Sequence, residues 1–383
     1  MLIQYLFDLT GYPIFDSRLF RAGAAAVLAA VLVFLTMPSY IAFLKKKNAT
    51  SDFKENSPPI MGGVLLVIIV VIVSALTTFF NGYTVSALVI LVLYSAVGTI
   101  DDFFKIRTKR LVDTGKLSKK DYEEKADGIN STTRLVLYFL FSFFVAILCY
   151  KFIPDLKGNL YVPFISPKIW QPYLPNWLFV LFITFVVAAS ANGTNFTDGI
   201  DSLVSIPIIT GMFFIGVVAY VSGNVIFSGY LHIPYLNGCD ALLPIAMASI
   251  GALLAYLWYN SPPAEIYMGD AGSIGFGALL GIMFILVQAA LFLPLVGIII
   301  LVEAMSVVLQ IGHFKISRRR HGLEYAQNNR LFLRAPLHHH FQLKWKGRFG
   351  DSKPLVNAKI AWRMHLVSFF TLILGFIVFF GLR

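Results

Sequence analysis

Long apolar runs separated by short polar segments dominate the chain, and the runs set its architecture. A helix that crosses a bilayer needs about 20 apolar residues. Charge-free runs on that scale cover 22–44, 62–80, 83–100, 135–150, 203–221, 241–259 and 366–382. A shorter run at 177–191, broken only by Thr184 and Ser190, predicts another span. Between 274 and 314 the only acidic or basic residues are Glu303 and His313. At 1.5 Å per residue that stretch would reach about 60 Å, enough for two crossings, so the pattern predicts a break near 288–294. The expectation is an all-α integral membrane protein, one polytopic domain over 1–383 with ten transmembrane helices.

Ten spans put both termini on one side. The loops at 45–61, 101–134, 192–202, 260–273 and 313–365 then share the other side and carry 25 of the 31 Lys and Arg residues. Positive charge concentrates in cytoplasmic loops, so these loops are expected in the cytoplasm and both termini outside. Composition agrees: 57% hydrophobic and 13% charged lie far from the roughly 45–50% and 25% of soluble domains. A net charge of +11 could suggest nucleic acid, but the charges fall between apolar runs and describe membrane topology instead. Cys149 and Cys239, without Cys-x-x-Cys or Cys/His spacing, offer neither a disulfide framework nor a zinc site. The first 20 residues, interrupted by Asp8 and Asp16, do not read as a cleaved signal peptide.

The acids carry the candidate chemistry. Asp101, Asp102, Asp198, Asp201, Glu265 and Asp270 all fall at or just beyond helix ends on the basic face. Each alone could be a solvated cap, but several from three loops at one membrane surface suit a hard cation such as Mg²⁺ or Mn²⁺. Asp101 and Asp102 are consecutive, so on a helix their side chains diverge by about 100° and divide roles. Lys105, one turn on, either forms an i,i+4 pair or holds a phosphate. The stretch 192–202 gathers Asn195, Thr197, Asp198 and Asp201 around glycines, which reads either as an Asx-rich turn or as a backbone cradle for a polar ligand. In 259–273, Asp270 opens a span as its cap or presents a carboxylate to a metal, with the helix start favouring phosphate. His338, His339 and His340 stand among basic residues, where imidazoles suit proton transfer beside phosphate.

Together, Asp-Asp-Phe-Phe-Lys from Asp101, Asn-Gly-Thr-Asn-Phe-Thr-Asp-Gly-Ile-Asp-Ser-Leu from Asn192, Met-Gly-Asp-Ala-Gly-Ser from Met268 and Ala-Pro-Leu-His-His-His-Phe from Ala335 resemble the polyprenyl-phosphate N-acetylhexosamine-1-phosphate transferases. The triple histidine and the Pro59-Ile-Met-Gly-Gly segment are similar to the bacterial phospho-N-acetylmuramoyl-pentapeptide transferases within that superfamily. The resemblance spans about 54–350. It implies transfer of phospho-N-acetylmuramoyl-pentapeptide from UDP-MurNAc-pentapeptide to undecaprenyl phosphate, forming lipid I and UMP, by a Mg²⁺-dependent homodimer of the bacterial cytoplasmic (inner) membrane with its site facing the cytoplasm.

By motif, the resemblance makes Asp270 the leading metal ligand, with Asp101 and Asp102 binding metal or deprotonating the lipid phosphate. Asn195, Asp198 and Asp201 match the nucleotide and metal neighbourhood, and Asn260 and Tyr267 the uridine pocket. Lys105 matches a phosphate contact. His338, His339 and His340 match the essential histidine segment, with His338 assigned to catalysis. The chain departs from the family at Ile60, where Thr is usual, and at Tyr267, where Phe is usual. It departs again in an apparent insertion at 108–127 and at Arg134, which takes the place of a Lys. Direct attack by the lipid phosphate and a two-step route through an aspartyl intermediate both remain open. Two other readings stand beside this one: a sister enzyme using UDP-N-acetylglucosamine, and an ion-coupled transporter for which Glu303 is the deep acid.

Overall fold

The computed structural model describes residues 2–50, 57–115, 128–166, 168–349 and 352–381. Among these the regular structure is helical, with isolated bridge residues, among them an antiparallel pair between Asn159 and Tyr173, and no strand. The main helices are α1 (Arg18–Lys46), α2 (Gly62–Thr77), α3 (Gly82–Asp113), α4 (Ser131–Phe152), α5 (Asn176–Thr197), α6 (Ser205–Ser222), α7 (Leu242–Asn260), α8 (Gly269–Leu286), α9 (Ile298–His321), α10 (Leu337–Lys344) and α11 (Lys353–Gly381). Nine of them, all but α2 and α10, are long and apolar enough to cross a membrane. Ten spans are expected from the sequence. The tenth, α2, has 16 residues, about 24 Å of helix, short of a hydrocarbon core about 30 Å thick.

The expected break in 274–314 is present. After α8 ends at Leu286, Gln288 takes a positive φ of 55° and a short helical turn leads into α9. Two expected loops are instead largely helical. The helix α3 runs 32 residues, about 48 Å, and carries Asp101, Asp102 and Lys105 past the apolar layer without leaving the helix. Residues 108–113 of the apparent insertion finish that helix, and 116–127 lie outside the described residues. The last helix begins at Lys353, well before the apolar run at 366. Val356, Ile360, Ala361 and Met364 recur at helical spacing and bury against Leu203 and Ile299. That is an amphipathic signal rather than a spanning one, so a search for continuous apolarity trims it off.

At the centre stands α8, buried from Ala271 to Leu286 and packed by α3, α5, α2 and α6. Its start is pressed onto α3 at Gly98, where a Cβ would collide with the backbone of Asp270 and Ala271. Only glycine allows this approach, and it sets the distance between the α3 acids and Asp270. Gly98→Ala should therefore cost about 1–3 kcal/mol of stability, the usual penalty for overpacking, read as a lowered melting temperature of the detergent-solubilised protein.

Candidate active site

One end of α3 and the start of α8 build the charged centre. The carboxylate of Asp102, 1% exposed, accepts the backbone N–H groups of Asp270 (3.1 Å) and Ala271 (3.2 Å). These are among the first N–H groups of α8, which have no partner inside their own helix, so Asp102 serves as a cap supplied from another helix. Asp101 points elsewhere, as consecutive helical positions must. It accepts the Ile129 N–H at 2.7 Å and meets the Lys105 ammonium at 2.7 Å. That ammonium also donates to Asp270 Oδ2 at 3.0 Å. From α4, Arg134 adds its guanidinium 3.3 Å from Asp270 and 3.7 Å from Asp101. The i,i+4 pair read from the sequence therefore exists, and Lys105 extends it into a network of two cations and two carboxylates.

Asp102, Lys105 and Asp270 open onto a polar cavity of about 300 Å³. Asp198, Gly199 and Asp201 line its second side, and Asn260 and Tyr267 its third. His339 and Gln342 of α10 close it together with Lys353 and Asn357 of α11. Buried Asn260 acts as a brace: its Oδ1 accepts the Ser202 N–H (2.9 Å) and its Nδ2 donates to the Ile266 carbonyl (2.8 Å). From α11, His365 pairs with the Ser202 carbonyl at 3.2 Å, so Ser202, at a positive φ of 63°, is held from both sides. Tyr267 stays 37% exposed on the cavity wall. Its backbone is paired to the Pro59 carbonyl and the Gly62 N–H, which ties the Pro-Ile-Met-Gly-Gly segment to the site and brings Ile60 to the cavity wall.

Several expected residues sit differently. His338 is fully buried and does not line the cavity. Its backbone N–H donates to Glu303 Oε1 at 3.1 Å, and its Nδ1 pairs with Glu303 Oε2 at 3.1 Å. Its Nε2 abuts Gly199, where any side chain would collide with the ring. Glu303, the acid expected to lie deep, is thus engaged by His338. His340 turns away and accepts the Leu333 N–H at 3.2 Å. Asn195 lies in the last turn of α5, outside the cavity wall. Sequence reasoning missed Gly199, Gln342, Lys353 and Asn357 as cavity residues. Gln342 follows His339 by three positions, the spacing that puts two side chains on one helical face. The two α11 residues were hidden by the late start assigned to the last span.

Burial pushes the Asp198 carboxyl up to about 7, and the charges of Asp270 and Asp201 add to the shift. Burial raises Asp201 too and lowers the His339 imidazole below its ordinary value. The donor set is all oxygen on the acidic side, which suits a hard divalent cation. Among the described residues no three such groups converge as a ready ligand cluster; Lys105 supplies the positive charge between Asp101 and Asp270.

Comparison with known proteins places this arrangement. The model for glycosyl transferase family 4 matches residues 83–288. The phospho-N-acetylmuramoyl-pentapeptide-transferase of Nautilia profundicola is 34% identical over 354 residues, covering 90% of this chain and 93% of its own. That of Nitratiruptor sp. is 32% identical over 378 residues, covering 96% and 97%, and that of Campylobacter curvus 34% over 354 residues, covering 90% and 92%. The chain belongs to the phospho-N-acetylmuramoyl-pentapeptide-transferase family. As a member of that transferase family it is a multi-pass bacterial membrane protein. The segment matched to glycosyl transferase family 4 contains Asp101, Asp102, Lys105, Arg134, Asp198, Asp201 and Asp270, while the histidines of α10 lie beyond it.

The raised carboxyl of Asp198 has a thermodynamic sign. Between its unfolded value near 4 and about 7, the folded protein holds a proton that the unfolded chain has released. Stability contributed by this group is therefore lost as pH rises through that window. Asp198→Asn should melt above the wild type at pH 8 in chelator, and the gap should close as pH falls toward 4, measured by thermal unfolding in detergent.

Proposed function

We propose that this chain transfers phospho-N-acetylmuramoyl-pentapeptide from UDP-MurNAc-pentapeptide to undecaprenyl phosphate, releasing UMP and forming lipid I at the cytoplasmic face of the bacterial inner membrane. The observation that carries this reading is the meeting of Asp270 and Lys105 with Asp198, Tyr267 and His339 around one cavity, Arg134 being paired to Asp270, in a chain whose relatives bear that transferase name over nine-tenths of their length. The excess of basic residues on the same face supports a cytoplasmic site. A homodimer and a Mg²⁺ requirement, with Mn²⁺ as a substitute, belong to the same proposal.

Phosphoryl transfer asks a protein mainly for positioning and charge neutralisation. Lys105 brings a positive charge to the cavity wall, suited to pyrophosphate oxygens, and Arg134 adds a second beside Asp270. The Tyr267 face suits a uracil ring, with the 259–267 turn kept rigid by Asn260. The attacking oxygen belongs to the lipid phosphate, the new P–O bond forms at the phosphorus that carries the sugar, and the bond to UMP breaks. The carboxylate chemistry fits a hard cation; Asp270 and Asp102, both on the cavity wall, would hold it, with Asp101 tied to Lys105 and Ile129 beside them. Bound there, it would neutralise charge on the phosphate oxygens.

A second cavity, about 500 Å³ and almost wholly apolar, runs between α4, α5 and α9 past Phe139, Phe185, Ala304 and Met305. It suits a polyprenyl chain whose phosphate reaches the acids. The UDP-N-acetylglucosamine reading shares this machinery, and the names of the relatives favour the muramoyl donor. The transporter reading loses its deep acid, because Glu303 is bound to His338.

Purified protein given undecaprenyl phosphate, Mg²⁺ and either donor should release UMP with the muramoyl donor only, and Asp270→Asn should lower that rate at least about a hundredfold. Release with UDP-N-acetylglucosamine would move the substrate; none with either would overturn the reading. Ala304→Trp should raise the KM for the lipid acceptor several-fold and leave that for the nucleotide donor unchanged, measured in the same assay.

A further inference from the structure

The helix α10 presents its three histidines in three different ways, and only His339 reaches the cavity. Its orientation is set by a chain of two side chains. His339 Nδ1 lies 2.7 Å from Gln342 Oε1, and Gln342 Nε2 donates to Asn357 Oδ1 at 2.7 Å. An amide oxygen is only an acceptor, so the ring nitrogen facing it must carry the proton. The other nitrogen, Nε2, is then left with its lone pair. The Gln342 amide could turn over only if the amide of Asn357, which accepts from its nitrogen end and is 8% exposed on α11, turned with it. The neighbouring ring of His338, 4.2 Å away between ring centres, is turned the other way, its Nδ1 engaged by Glu303 and its ring under Gly199.

We propose that Gln342, itself held by Asn357, is the positioning residue that fixes the tautomer of His339, and that His339 rather than His338 is the imidazole facing the reacting phosphates. The inference rests on the transferase reading. A phosphate monoester keeps part of its second proton near neutral pH, with a pKa of about 6. As the lipid phosphate oxygen attacks the sugar-bearing phosphorus and the bond to UMP breaks, that proton passes to His339 Nε2. His338, Arg334 and Glu303 act on the ring by their charges, and Asp102, Lys105, Asp198, Asp201, Asp270 and Lys353 line the same cavity.

The test has two arms. In protein carrying isotope-labelled histidine in lipid nanodiscs, the His339 ring signals are assigned by their loss in His339→Asn. The wild type and Gln342→Glu should show Nδ1 protonated, and Gln342→Leu should lose that preference. This arm reads the tautomer whether or not the protein turns over, so failure of the transferase reading and failure of this inference stay distinct. In the UMP-release assay, Gln342→Leu should lower kcat at least about tenfold with both KM values within about twofold. Gln342→Glu and Asn357→Asp should each keep most activity, because one acceptor is retained and the neighbouring amide can turn to donate. The double variant Gln342→Glu/Asn357→Asp, which sets two carboxylates together, should lose it. A wild-type His339 protonated on Nε2, an unchanged tautomer in Gln342→Leu, or a kcat loss matched by His338→Asn but absent in His339→Asn would overturn the proposal.

Discussion

A carboxylate of one helix caps the start of another, and the rest of the site depends on that contact. The N–H groups of Asp270 and Ala271 need acceptors outside α8, and Asp102 supplies both. Gly98, one turn earlier on α3, lets the two backbones come close enough for this. Asp270 is then delivered beside Lys105 and Arg134, which balance its charge together with that of Asp101. Leaving Asp270 unpaired in this setting would be expensive, because burying an isolated charge costs several kcal/mol. The acids are thus stabilised by their own network before any ligand arrives.

The sites of the cavity wall come from segments far apart in the chain, and several are held by bonds to backbone groups. Asn260 and His365 clamp Ser202 from opposite sides. Pairing between 59–63 and 267–268 joins the first polar segment to the third. Polar side chains spent on backbone groups in this way leave few degrees of freedom for the ones that face the cavity, which is how a site made of five helices stays preorganised.

Much of this was legible in the sequence, for physical reasons that can be named. Continuous apolarity over a bilayer's thickness is a strong signal, so the bundle and the break after Gln288 could be read directly. Acids at the ends of such runs are costly enough to stand out, and Asp102, Asp198, Asp201 and Asp270 do gather at one cavity. What escaped are features carried by weaker signals. The first turns of α11 bury only one face, so hydropathy placed its start too late and hid Lys353 and Asn357. Three adjacent histidines look alike in sequence, yet successive positions on a helix point about 100° apart. Their neighbours decide their fates: Glu303 takes one, Gln342 another, and the Leu333 backbone the third. The Asp102 cap has no sequence signature at all, because its partners lie 168 and 169 positions away.

The apolar cavity between α4, α5 and α9 carries a further consequence. Its walls include Phe139, Phe185, Met305 and Val308, all of them substantially exposed on the outer surface of the bundle. On the proposed reading, a polyprenyl acceptor would enter it sideways, from the bilayer. Encounter becomes a search in two dimensions, governed by the mole fraction of acceptor among the surrounding amphiphiles rather than by its bulk molarity. Diluting the same amount of acceptor into more detergent would slow the reaction even though nothing in the water has changed.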